Sequence, residues 1–203
     1  MDRRVRLIGV ACGFLSPVSF LVLYYIALSN DPGYTFFEDY LSDLGVGPAA
    51  WAFNSAVILA GIFAMPFAVT ALVPTFGRQR LSLVGSATLL VACAFLILVG
   101  VFTEDYGDLH FVVSIGFFLT LLIAFGLIAE ASYRTRALGW PGTWFSVGVF
   151  VLGMILIVNG TDPWVETVAV LSAVVWLLVM SLLVLMKELG MRLPGASTPL
   201  DVP

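Results

Sequence analysis

The sequence predicts an all-α integral membrane protein, a six-transmembrane-helix bundle with the N and C termini cytoplasmic and a short outer amphipathic helix between helices 1 and 2. Three observations predict it. Hydrophobic residues make up 61% of the 203 residues and charged residues only 11%, a balance too apolar for a water-soluble domain. The apolar residues fall into six continuous runs near 7–28, 51–73, 81–102, 110–131, 141–159 and 164–186. Each run approaches the ~20 helical residues needed to cross a bilayer core, and none alternates as a barrel strand must. The charges between the runs also alternate in sign. Arg3, Arg4 and Arg6 precede run 1, Arg78 and Arg80 follow run 2, Arg134 and Arg136 follow run 4, and Lys187 and Arg192 follow run 6. The positive-inside rule assigns these segments to the cytoplasm. The opposite loops hold nine of the thirteen carboxylates, Asp31, Glu38, Asp39, Asp43, Glu104, Asp105, Asp108, Asp162 and Glu166, with the single histidine, His110. The expected location is thus a multi-pass position in the cell membrane, Arg loops inside and acidic loops outside. Residues 1–190 read as one membrane domain and residues 191–203 as a flexible cytoplasmic tail.

Run 1 has an Arg-rich start, but its apolar stretch is longer than the ~7–15 residues of a signal-peptide core, so it is read as a membrane helix. In the loop that follows, Thr35 and Glu38 have capping-box spacing. Phe37, Tyr40, Leu41 and Leu44 recur at helical intervals before Gly45 supplies a stop. This predicts an amphipathic helix over 36–44, either a lid across the outer end or a connector at the interface. Pro17 and Pro66 are expected to kink helices 1 and 2. Cys12 and Cys93 differ in depth by about 10 Å at 1.5 Å per residue, so neither a disulfide nor a metal pair is expected. Glu130 lies four residues before Arg134, the spacing of a helical ion pair. Asp162-Pro163 reads as the N-cap and first residue of helix 6. Trp51, Trp140, Trp144 and Trp164 fall near helix ends, where tryptophan anchors a helix at the interface.

Polar groups at membrane depth are costly unless partnered or hydrated, which singles out Asn54, His110, Ser114, Asn159 and Glu166. Asn54, His110 and Glu166 each lie in the first outer turn of helix 2, 4 or 6. His110 and Ser114 share one helical face. If these helices surround a vestibule, Asp43, Glu104, Asp105 and Asp108 adjoin it from the loops. The candidate ligand-binding set is Ser42, Asp43, Asn54, His110, Ser114 and Glu166.

Three chemistries can use such a set. A divalent metal would take His110 with carboxylates, but there is one histidine and no His-x-x-x-His or Cys-x-x-Cys pair. No cofactor or metal site is therefore predicted, with a divalent metal as the alternative. A hydrolase would need a serine near His110, the candidate catalytic residue; Ser42 and Ser114 are available, but neither lies in a Gly-x-Ser-x-Gly elbow. Ion-driven transport needs charge at mid-depth, and no run carries one.

The stretch Leu41-Ser42-Asp43-Leu44-Gly45 with Phe53-Asn54 resembles the membrane-protein family called domain of unknown function 998. So do Gly100-Val101-Phe102-Thr103-Glu104-Asp105, then His110, Ser114 and Phe117-Phe118, and finally Asp162-Pro163-Trp164-Val165-Glu166 with Trp176. The resemblance covers most of 7–186 and implies a six-helix bundle without a reaction. That family is distantly similar to the group of autophagy modulators and lipid-anchor-remodelling membrane proteins, which implies a lipid-facing role. Thr103 stands where such loops often have proline.

The expected function is recognition of a lipid headgroup or small polar ligand in an outward-facing polar vestibule. The alternatives are an intramembrane lipid hydrolase or transferase using His110 as acid or base, and a structural membrane scaffold. Membrane lipids are the expected partners and nucleic acid is not; the sequence does not specify an oligomeric state.

Overall fold

The computed structural model describes residues 1–160 and 162–197. Six helices are long and apolar enough to cross a membrane: α1 (Arg3–Ser29), α2 (Ala50–Phe76), α3 (Arg80–Val101), α4 (Asp108–Thr135), α5 (Gly139–Val158) and α6 (Pro163–Glu188). There is no strand among the described residues. Each helix packs against the next in chain order, and α6 returns to α1. The chain therefore closes a ring, which requires only short connections and leaves a common axis inside.

Small residues set how closely the backbones approach, as expected where lipid is as apolar as the helix faces. A Cβ on Gly61 would lie 2.8 Å from the Cys93 carbonyl oxygen, and one on Gly100 would lie 2.8 Å from that of Asn54. These two glycines bring α2 and α3 into backbone contact at both ends of their crossing. Where α1 meets α2, proline has different consequences in the two helices. α1 continues through Pro17, whereas α2 widens into a π-helical turn over Phe67–Leu72 directly after Pro66. Pro66 lacks the N–H that would continue the α pattern, and Phe67, Ala68, Ala71 and Leu72 of the widened turn are buried. Deeper in the ring, the buried Trp176 ring lies 4.8 Å from that of Phe125, and its indole N–H donates to Ser146 Oγ at 3.1 Å.

The basic end is closed by specific contacts. Arg6 pairs with Glu188 at 3.0 Å, Arg3 donates to the Glu188 carbonyl, and Lys187 donates to that of Thr75. Glu130 and Arg134 form the ion pair expected from their spacing, at 2.6 Å. Residues 191–197, read from sequence as part of the tail, lie against the α4–α5 turn. Trp140 N–H donates to the Pro194 carbonyl at 2.8 Å, Ser197 Oγ donates to that of Thr135 at 2.8 Å, and Leu193 is buried. The Arg136 guanidinium sits 3.6 Å over the Trp140 ring beside them. The rest of that tail, 198–203, lies outside the described residues.

The helix expected over 36–44 does not form as a unit. Phe37 has φ +74°, a conformation costly for a residue with a large side chain, and the regular structure is a 3-10 turn over Leu41–Gly45. Capping also differs from expectation, because Asp39, not Glu38, reaches back to the Thr35 N–H at 2.6 Å. Burial explains the choice: Leu41 and Leu44 are each 1% exposed, whereas Phe36 and Phe37 remain on the surface. The apolar periodicity was shared by both segments, and the core accepted only the second. Asp162 occupies the N-cap position of α6, but its side chain makes no capping bond there.

Candidate functional site

The Leu41–Gly45 turn is the keystone of the acidic end, because three separate elements hold it. The Asp43 carboxylate accepts from the Tyr40 N–H at 2.8 Å and closes the turn on itself. From the start of α2, Asn54 Nδ2 donates to the Gly45 carbonyl at 2.9 Å. From α6, Glu166 Oε2 accepts from the Leu41 N–H at 2.8 Å, across 125 residues of sequence. Ser42 then donates its hydroxyl to Glu104 Oε1 at 2.8 Å, which joins the turn to the α3–α4 connection. The carboxylates thus receive backbone and hydroxyl donors and form no ion pair with Lys or Arg among the described residues.

On α4, His110 Nδ1 lies 2.7 Å from the Phe102 carbonyl oxygen and Nε2 lies 3.3 Å from Ser114 Oγ. A carbonyl only accepts, so Nδ1 carries a proton. In the neutral ring, Nε2 is then the acceptor for the Ser114 hydroxyl. The imidazole is thereby oriented by backbone, without an acid behind it.

These groups meet at one end of a cavity of about 570 Å³ between α4, α5 and α6. Ser42, Glu104, His110, Ser114 and Glu166 line its polar end. Phe118, Leu122, Phe125, Val149, Leu156 and Ala169 line its apolar length. Phe111 and Leu119 of α4 and Ile157 of α5 both line it and are exposed on the surface, so the cavity opens at the flank between these two helices. A smaller space of about 110 Å³ on the ring axis shares Ser42, Ser114 and Glu166 as walls.

Electrostatics at the mouth follow from this crowding. Burial raises the Glu104 carboxyl from an ordinary 4.5 to about 7, and the adjacent Asp43 carboxyl and the charge of Asp105 push the same way against the Ser42 hydrogen bond. Burial likewise raises the Tyr34 phenol above its ordinary range, aided by nearby Tyr24 and Glu166.

Of the residues singled out in the sequence, Ser42, His110, Ser114 and Glu166 come together on the cavity. Asp43 and Asn54 do not line it; both are engaged in holding the 3-10 turn. Asn159 lies apart, donating to the Ile155 carbonyl of its own helix at 2.7 Å. Glu104, in the sequence only a loop acid adjoining the expected vestibule, lines the cavity directly. Its sequence context, one acid among several in a short loop, carried no mark that distinguished it from Asp105 or Asp108. No three His, Cys, Asp or Glu side chains among the described residues are grouped to hold a metal ion.

Six membrane-length helices closed in a ring, with a flank-opening cavity toward one end, define a multi-pass helical membrane protein. The family model described as "Protein of unknown function (DUF998)" matches residues 14–185. The chain belongs to that family, as its motifs indicated. No curated protein and no solved structure matches it, so nothing carries the likeness on to the autophagy-modulator and lipid-anchor-remodelling group.

Proposed function

We propose that the protein binds a lipid headgroup or small polar ligand at the acidic end, which faces outward, with both termini in the cytoplasm. The observation that carries this reading is the cavity of about 570 Å³ whose polar groups are gathered at one end of an otherwise apolar wall. Its volume falls within the roughly 300–1,000 Å³ of pockets that enclose one small ligand. A flank opening lets such a ligand enter from the bilayer with its apolar part never exposed to water. The sidedness follows the distribution of the nine Lys and Arg residues.

Native mass spectrometry of the purified protein, with identification of retained lipids, tests the reading. Gly153 lines the cavity, and a Cβ there meets only the movable end of Leu122. Gly153→Leu therefore projects into the space and obstructs the path of a bound chain, and the expected outcome is a retained ligand in the native protein and at least about tenfold less in the variant. Equal retention in both would overturn it.

The 3.3 Å contact between Ser114 Oγ and His110 Nε2 supports a second reading, an intramembrane hydrolase or transferase in which His110 takes the serine proton. Lipid turnover by the purified protein, abolished by both His110→Ala and Ser114→Ala, would favour it over binding. Retention without turnover returns the case to binding.

A further inference from the structure

The polar end of the cavity is built almost wholly of acceptors, and this restricts what it can hold. Among the described side chains that line it, four have their protons engaged, and the Tyr40 hydroxyl is the remaining donor. Ser42 donates to Glu104, Ser114 faces the acceptor nitrogen of His110, Ser172 donates to the Ala169 carbonyl, and His110 Nδ1 donates to that of Phe102. Glu104 and Glu166 contribute carboxylate oxygens, with the Asp43 carboxyl against Glu104. No Lys or Arg lines either cavity, and all nine lie toward the opposite end.

A phosphate or carboxylate head would meet like charge with only the Tyr40 hydroxyl to offset it, in a half-buried setting where screening is weak. A neutral sugar or glycerol head would find acceptors but gain nothing from the charge. A protonated amine supplies the donors that are missing and the charge that is complementary, and ionic hydrogen bonds of that kind are about twice as strong as neutral ones. The cavity wall beyond the carboxylates is apolar, and its volume suits one chain.

We infer that the ligand is a single-chain amphiphile with a protonated amine head, the ammonium seated among Glu104, Glu166 and Ser42 and the chain lying along Phe118, Leu122 and Val149 between α4 and α5. This rests on the cavity being a ligand site, as proposed above. It goes further by excluding anionic headgroups, whose recognition takes Arg and Lys side chains.

The test uses the full chain in nanodiscs of neutral phosphatidylcholine, titrated with three chain-matched probes: an alkylammonium, an alkyl phosphate and an alkyl glycerol ether. Binding is read by native mass spectrometry and thermal shift, with Gly153→Leu as the measure of simple partition into the bilayer. The expected result is about tenfold or greater preference for the ammonium over both other heads. Glu104→Gln and Glu166→Gln keep an acceptor oxygen for their present donors and should each remove most of that preference while sparing the glycerol ether. If the ether or phosphate binds as well as the ammonium and Gly153→Leu abolishes it, the cavity is a ligand site and the inference about its head is wrong. If Gly153→Leu changes none of the three, the underlying site is wrong. Should Glu166→Gln fail to fold, Glu104→Gln decides the matter alone.

Discussion

At the basic end of the bundle, charged and polar groups tie chain to chain. Arg6 meets Glu188, Lys187 meets the Thr75 carbonyl, and the Pro194 and Thr135 carbonyls take donors from Trp140 and Ser197. At the acidic end, Glu104 and Glu166 hold the Leu41–Gly45 turn from one side and border a cavity of about 570 Å³ on the other. The helices are the same six at both ends. The difference teaches that a polar group in a membrane bundle is structural when its partners are all protein, and becomes a candidate for function when part of its surface faces open volume.

The sharpest way to break this comparison is to place the same bulk at both ends. Gly139 has φ +63°, and a Cβ there would lie 2.2 Å from the Pro194 carbonyl oxygen. Gly139→Leu therefore combines a left-handed backbone with a backbone clash, at a cost of about 3 kcal/mol. Thermal melting in detergent should fall markedly, while Gly153→Leu at the cavity should melt as the native protein does or higher. Equal losses at the two positions would mean that the acidic-end cavity is not open volume.

A smaller effect is expected at the Arg6–Glu188 pair. The Glu188 side chain is only 6% exposed but that of Arg6 is 31% exposed, so solvent screening discounts the loss well below that of a fully buried pair. Glu188→Gln should cost about 1–2 kcal/mol, because Arg6 loses its counter-charge while Arg3 keeps the Glu188 carbonyl. The wild-type advantage in melting should shrink with added salt. A salt-independent difference would make the contact one of packing.

Both ends were partly legible in the sequence, for different reasons. The six spans were, because an apolar run of about 20 residues has few other fates. Their ends were short by a few residues: α4 runs from Asp108 to Thr135 where the apolar run covers 110–131, since helical hydrogen bonding continues past the apolar core. Tertiary contacts were not legible. Phe37 and Leu41 carry the same helical period, and only packing decides that the first takes φ +74° while the second is buried. His110, Ser114 and Glu166 are legible because polar residues in apolar runs are conspicuous, and Ser42 because it belongs to the loop motif Leu41-Ser42-Asp43-Leu44-Gly45. Glu104 was not selected, because a loop acid is conspicuous only once its serine partner, 62 residues away, is beside it.

Glu104 also supplies the gentlest probe of the comparison, because its titration reports on the acidic end alone. Its carboxyl is raised from 4.5 to about 7, chiefly by burial and then by Asp43. The folded state therefore holds the proton more tightly than the unfolded chain does. The associated stability is fully present below about pH 4.5 and is lost as the pH rises through about 7. Melting should decline between about pH 5 and about pH 8, and Glu104→Gln, which keeps an acceptor for Ser42 without the charge, should flatten that decline. Asp43, Asp105 and Glu166 also face this carboxyl and remain in the variant, so an unchanged slope would mean that Glu104 is not its source. Bound ammonium adds the opposite trend, since it favours the ionised form of Glu104. Native-protein affinity for the alkylammonium probe should therefore rise across the same pH interval in which the empty protein loses stability, and this crossing of the two trends should vanish in Glu104→Gln.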